Sequence, residues 1–182
     1  SWSTIYNQPT AEFYHVTTDV RTPYRVYGAQ QDNTTLSLPS RSDLGAITWA
    51  ETYPIGGGES GYIAARQDNP DITYAGSYGG LLTRYDHRSK QARNIAVWPE
   101  NPIGWTAGDQ RYRFQWTFPI VLSPHDPDTL YVCSNYVHRS KDEGGSWTTI
   151  SPDLTRNDPE TQGASGGPIT MDVSGAEVYE WN

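Results

Sequence analysis

A short strand-forming pattern recurs three times along the chain and constrains the fold more than any other feature. The recurrences are residues 21–32 (RTPYRVYGAQQD), 69–80 (NPDITYAGSYGG) and 126–137 (DPDTLYVCSNYV). Each has a turn carrying Pro or Asp, then a short aromatic strand, a polar hairpin and the start of another strand. Superposing Tyr27, Tyr74 and Tyr131 spaces the repeats by 47 and 57 residues. Units of four antiparallel strands repeat about every 40–45 residues, and the longer interval carries an insertion at 101–113 (NPIGWTAGDQRYR). Aromatics at 13%, with 17 Gly and 13 Pro, fit many short half-buried strands punctuated by turns. No stretch combines helical periodicity with caps. The expectation is an all-β chain.

The third repeat runs on into Ser140-Lys141-Asp142-Glu143-Gly144-Gly145-Ser146-Trp147, the Asp-box pattern Ser-x-Asp-x-Gly-x-x-Trp. Its physics suits a hairpin between two outer strands. Asp142 accepts bonds from the turn's own amides, and Gly144 supplies a positive φ. Ser140 bonds back across the turn, and Trp147 folds its ring under it. These four residues read as structural staples. Trp2-Ser3-Thr4-Ile5 repeats the spacing of Trp147-Thr148-Thr149-Ile150, so residues 1–9 read as the outermost strand of a preceding unit. The chain then divides into blades at 11–54, 61–99 and 113–152, with 168–182 starting a further one. Together these define a partial β-propeller of about three four-stranded antiparallel blades. Because neither end supplies a closing blade, the expectation is truncation from a larger propeller. Self-association, or missing blades from a partner, would then cover the apolar flanks.

The runs NQPTAEFYHV, YRVYGAQQDN, GGGESGYIA, YAGSYGGLLTRYDHR, FPIVLSPHDPDTLY and SKDEGGSWTTISPDLTRND resemble the sortilin-related BNR/Asp-box propeller proteins of bacteria, often labelled glycosyl hydrolase-like. The likeness spans nearly the whole chain. It implies a propeller and a secreted or periplasmic setting, with the leader absent from this chain. It does not fix an activity, since propellers host lyases, hydrolases and binding modules alike.

Propeller topology brings the loop entering each first strand and the hairpin after the second to one face. That face would carry Glu12, Tyr14 and His15 with Gln30, Gln31, Asp32 and Asn33; Glu59, Ser60 and Tyr62 with Ser77 and Tyr78; and Arg113, Gln115 and Trp116 with Asn135 and Tyr136. Aromatic faces stack on apolar surfaces while amides and carboxylates read hydroxyls. This composition suits a glycan or protein ligand. The carboxylates Glu59, Asp32 and Glu12 are the candidates for glycoside hydrolysis, which needs a pair about 5–5.5 Å apart for retention or 6.5–9.5 Å for inversion. Each has a plainer reading: Asp32 as a turn residue, Glu59 after Gly56-Gly57-Gly58 and Glu12 as solvated loop carboxylates. Arg113 can clamp a carboxylate ligand or make an inter-blade salt bridge. The two readings left are a binding or scaffold module and a glycoside-active enzyme.

Other chemistries have less support. A net charge of −8, from 21 acidic against 13 basic residues without a basic cluster, argues against nucleic acid and anionic membranes. No apolar run approaches the ~20 residues that span a bilayer. His15, His87, His125 and His138 are scattered without metal-ligand spacing. Asp126-Pro127-Asp128 lacks the spacing of a calcium loop and reads as a turn. The Gly56–Gly58 run lacks a phosphate-loop lysine, so no metal and no cofactor are expected. The single Cys133 reads as a packed core thiol.

Overall fold

The computed structural model describes residues 11–102 and 104–163, which form three four-stranded antiparallel sheets and almost no helix. The first sheet contains β1 (Phe13–Thr18), β2 (Arg25–Gln30), β3 (Thr35–Pro39) and β4 (Tyr53–Pro54). The second contains β5 (Ile63–Ala65), β6 (Ile72–Ser77), β7 (Leu81–Asp86) and β8 (Gln91–Asn94). The third contains β9 (Ile120–Leu122), β10 (Leu130–Cys133), β11 (Val137–Ser140) and β12 (Thr148–Thr149). In every sheet the strands pair in chain order as a meander, which short hairpins allow. The three superposed tyrosines fall in β2, β6 and β10, the second strand of each sheet. The segments expected to be strands at 1–9 and 168–182 lie outside the described residues.

Turn chemistry closes the meanders. Asp32 takes a left-handed φ of 57° between β2 and β3, a conformation that Asp tolerates better than most residues. Asp86 Oδ1 accepts the amides of Arg88 (2.8 Å) and Ser89 (3.2 Å) in the β7–β8 turn. Between β11 and β12, Ser140 Oγ donates to Asp142 Oδ1 (2.8 Å) and accepts from the Gly144 amide (2.8 Å). Asp142 also accepts from the Ser146 amide (2.8 Å) and hydroxyl (2.7 Å). The Ser146 and Ser140 bonds hold its carboxyl down at about 2. Gly144 has φ 80°.

The sheets pack face to face through two apolar clusters with β6 between them. Ile72 and Tyr74 of β6 join Leu82, Ile95, Phe114, Phe118, Ile120, Leu130 and Val132 against the third sheet. Ala75 joins Tyr27, Ile55, Ile63, Ala65 and Tyr85 against the first. Strand alternation explains this: successive β6 side chains point to opposite faces, and all six residues are buried. β5 lies against both β1 and β9, so the first strands of the three sheets are neighbours. Gly76 lets the third sheet approach closely here, since a Cβ would come within 2.9 Å of Ile120 Cδ1 and 3.0 Å of the Phe118 ring and push them back.

Two features differ from the sequence reading. Trp147 reaches beyond its own turn: its ring packs on the cluster that joins the second and third sheets, and Nε1 donates to Ile95 O at 2.9 Å. A half-buried indole N–H favours a fixed acceptor, and the cross-sheet carbonyl supplies it. Cys133 is half-buried, because β10 alternation turns Leu130 and Val132, but not Cys133, toward the second sheet. Burial still pushes its thiol pKa up.

Candidate functional site

A hydrogen-bonded and stacked group joins all three sheets. Tyr14, on β1, donates its hydroxyl to Gln31 Oε1 and accepts from Trp116 Nε1 at 2.8 Å. Gln31 Nε2 donates to Asp32 Oδ1 (2.8 Å) and to Glu59 Oε2 (2.9 Å). The Asp32 amide donates to the same Glu59 oxygen at 2.9 Å. Trp116, in the segment leading to β9, stacks on Tyr78 with centroids 4.7 Å apart and planes 6° apart. Tyr78 in turn is held by its amide on Ser60 Oγ (3.0 Å), and Ser60 is buried. Beside this group His15 stacks on Tyr62 at 3.9 Å.

The loop carrying Glu59 is threaded into place by glycine. Gly57 has φ 64°, and a Cβ there would lie 2.8 Å from Ala75 Cβ and 2.9 Å from Thr35 Oγ1. Its amide donates to Thr83 Oγ1 at 2.8 Å, and Thr35 Oγ1 donates to Gly58 O at 2.7 Å. The run is thus wedged between the first two sheets, and Glu59 emerges at the β2–β3 turn.

The remaining candidates sit elsewhere or play lesser parts. Glu12 is exposed and joins only through its carbonyl, which accepts the Gln31 amide at 3.0 Å. Asn33 is an exposed turn residue, and the exposed Gln115 caps the Thr117 amide at 2.9 Å. Arg113 and Asn135 form a separate buried knot with Asp153. The Arg113 guanidinium meets Asp153 Oδ2 (3.2 Å) and Thr155 Oγ1 (2.6 Å). Asn135 bridges the Arg113 amide (3.0 Å) and Asp153 (2.8 Å). Burial alone would raise the Asp153 pKa, but bonds from Thr155 and Asn135 and the Arg113 charge bring it down to about 2. The guanidinium is therefore engaged within the third sheet's own edge.

Among the described residues no group of three or more His, Cys, Asp or Glu side chains is placed to hold a metal ion. Nor is any helix among them long and apolar enough to cross a membrane. The sequence reading passed over Trp98 and Arg111, which pair as a cation–π contact 4.1 Å from guanidinium carbon to ring centroid. Both fall in or beside the insertion, where the strand pattern gives no register for them.

No protein-family model matches the chain, and no curated protein matches it.

Proposed function

We propose that the three sheets are successive blades of an Asp-box propeller, and that the group around Tyr14, Gln31, Glu59, Tyr78 and Trp116 is the recognition surface for an oligosaccharide. The carrying observation is the chain of bonds from Glu59 through Gln31 and Tyr14 to Trp116, which draws on separate sheets. Groups fixed by one another before binding lose little entropy when a ligand arrives. Stacked ring pairs offer edges and faces to the apolar side of a pyranose, while the amide and carboxylates read hydroxyls. The meander order, the seam packing and the neighbouring first strands support the radial reading. In it, further blades or a second copy of this chain cover the outward faces where Val16 (62% exposed) and Val121 (51%) stand.

A glycoside-cleaving role has one observation in its favour. Asp32 and Glu59 share the Gln31 amide nitrogen, which holds two carboxylates close together. Against it, Glu59 Oε2 already accepts two hydrogen bonds, so binding is the better-supported reading.

Calorimetry with a panel of neutral oligosaccharides tests the proposal. Trp116→Ala and Glu59→Gln should each weaken binding about tenfold or more. Equal binding by both variants places the site elsewhere. Hydrolysis that disappears in Glu59→Gln and Asp32→Asn would replace the binding role with the enzymatic one.

A further inference from the structure

A cleft lies at the outer edges of the second and third sheets, on the far side of Trp98 and Asn94 from the pocket that those two residues line with Tyr78. It has a volume of about 650 Å³ and is walled by Trp98, Arg111, Tyr112 and Trp147, with Asn94 at the end of β8. That size falls within the roughly 300–1,000 Å³ of small-molecule sites. Arg111 lies over the Trp98 ring at 4.1 Å and over Tyr112 at 5.6 Å. Side-chain hydrogen bonds with Thr149 and then Arg111 lower the pKa of the Tyr112 hydroxyl. The contrast with Arg25 is informative. Arg25 also lies over a ring, at 4.5 Å from Tyr53, but it donates to Ser37 Oγ, Ser37 O and Glu51 O. Arg111 makes no ion pair among the described residues, in a chain with 21 acidic and 13 basic residues. The carboxylates of the β11–β12 turn are committed, Asp142 to Ser140 and Ser146 and Glu143 to Arg66 and Arg84, and Asp109 Oδ2 accepts from Thr106 Oγ1 at 2.7 Å.

We infer that this cleft is a separate binding site for an acidic oligosaccharide, with Arg111 holding the anionic group and the Trp98, Tyr112 and Trp147 walls holding the ring faces. A guanidinium already oriented on an aromatic face presents its fork to a carboxylate or sulfate at little entropic cost. Sugar rings turn their C–H faces to aromatic surfaces. A peptide strand is disfavoured, because the backbone leaving β8 is already used. The Ile95 amide donates to Leu82 O (2.9 Å), Ile95 O accepts from Trp147, and the Ala96 amide donates to Asn94 Oδ1 (2.9 Å). Residues 95–96 thus offer no ladder to an added strand.

The test is calorimetry on the full chain with matched uronate-bearing, sulfated and neutral oligosaccharides and an acidic peptide. Arg111 is exposed and Trp98 is 43% exposed, so Arg111→Gln and Trp98→Ala retain the fold, as circular dichroism can check. One or both acidic sugars should bind, weaken with added salt, and lose about tenfold or more in Arg111→Gln. Which acidic sugar binds identifies the anionic group. Trp116→Ala and Glu59→Gln should leave this binding unchanged, which separates it from the three-sheet group. Binding by neither acidic sugar, an Arg111→Gln variant that binds equally, or tighter binding of the peptide overturns the proposal.

Discussion

Arg66 and Asp128 meet at 2.8 Å across the seam between the second and third sheets, and Arg21 meets Asp71 at 3.0 Å across the seam between the first and second. In both cases an arginine just after the first strand of one sheet reaches the Pro-Asp turn that opens the second strand of the next. Arg66 also holds Asp68 (2.7 Å) and Glu143 (3.1 Å), and its side chain is only 7% exposed. Its pKa is raised above the ordinary value, chiefly by Asp68.

This arrangement predicts an asymmetry. Arg66→Ala strips three carboxylates of one nearly buried cation and should cost about 3 kcal/mol in urea unfolding. Asp128→Asn removes a partner that is 65% exposed and should cost less than about 1 kcal/mol. Equal losses would show that the seam depends on the pair rather than on the arginine.

Trp147 joins the third sheet to the second through both packing and its bond to Ile95 O. Because the ring is half-buried, Trp147→Ala should cost about 3 kcal/mol, at the low end for large aromatics. Trp147→Phe, keeping part of the packing but not the donor, should cost about 1–2 kcal/mol. Denaturant midpoints at constant slope measure both.

Acidification should loosen the seam between the first two sheets, and the third sheet itself, through histidine. His87 is held between Tyr53 (2.8 Å) and Thr73 (3.0 Å). Burial, then the Arg21 and Arg25 charges, lowers its pKa to about 4, with Asp19 and Asp71 pulling the other way. His138, fully buried between Ser134 (2.7 Å) and Thr149 (3.1 Å), is lowered to about 4 by burial. The unfolded chain therefore takes up these protons first, at about 6.5. The stability they preserve is fully present above pH 6.5 and is lost as pH falls toward 4, up to about 3 kcal/mol for each. Melting temperature between pH 7 and 4.5 should fall less steeply in His138→Gln than in the parent chain.

Gly57→Ala should destabilise by about 1–3 kcal/mol, since it places a Cβ at a left-handed φ against Ala75 and Thr35. It should also shift Glu59 off Gln31 and weaken ligand binding in parallel with Glu59→Gln. A variant that is destabilised yet binds normally would mean that the Gly56–Gly58 run does not position the carboxylate.

Much of the fold was legible because its information is local. The recurring Tyr27, Tyr74 and Tyr131 mark the second strands, and Ser140, Asp142 and Gly144 make the turn bonds that their spacing implies. The seams were not legible. Tyr14 and Trp116 lie 102 residues apart, and no local pattern states which loop faces which neighbour. Arg113 and Asn135 were grouped with that face from hairpin position alone. Asp153 and Thr155, downstream of β12, gather them into a different cluster, which strand spacing could not anticipate. Trp98 and Arg111 meet only because the insertion folds back beside β8.

The two-sided burial of β6 has a kinetic consequence. Shifting this strand by one residue would send Tyr74 toward the first sheet and the polar Thr73 toward the third, spoiling both clusters together. Its register is thus proofread from two sides, and neither neighbour can dock on a slipped strand. The amides of β6 then have no low-energy local opening through which to meet solvent. In deuterium they should be the last in the chain to exchange, at a rate set by unfolding of the whole three-sheet assembly.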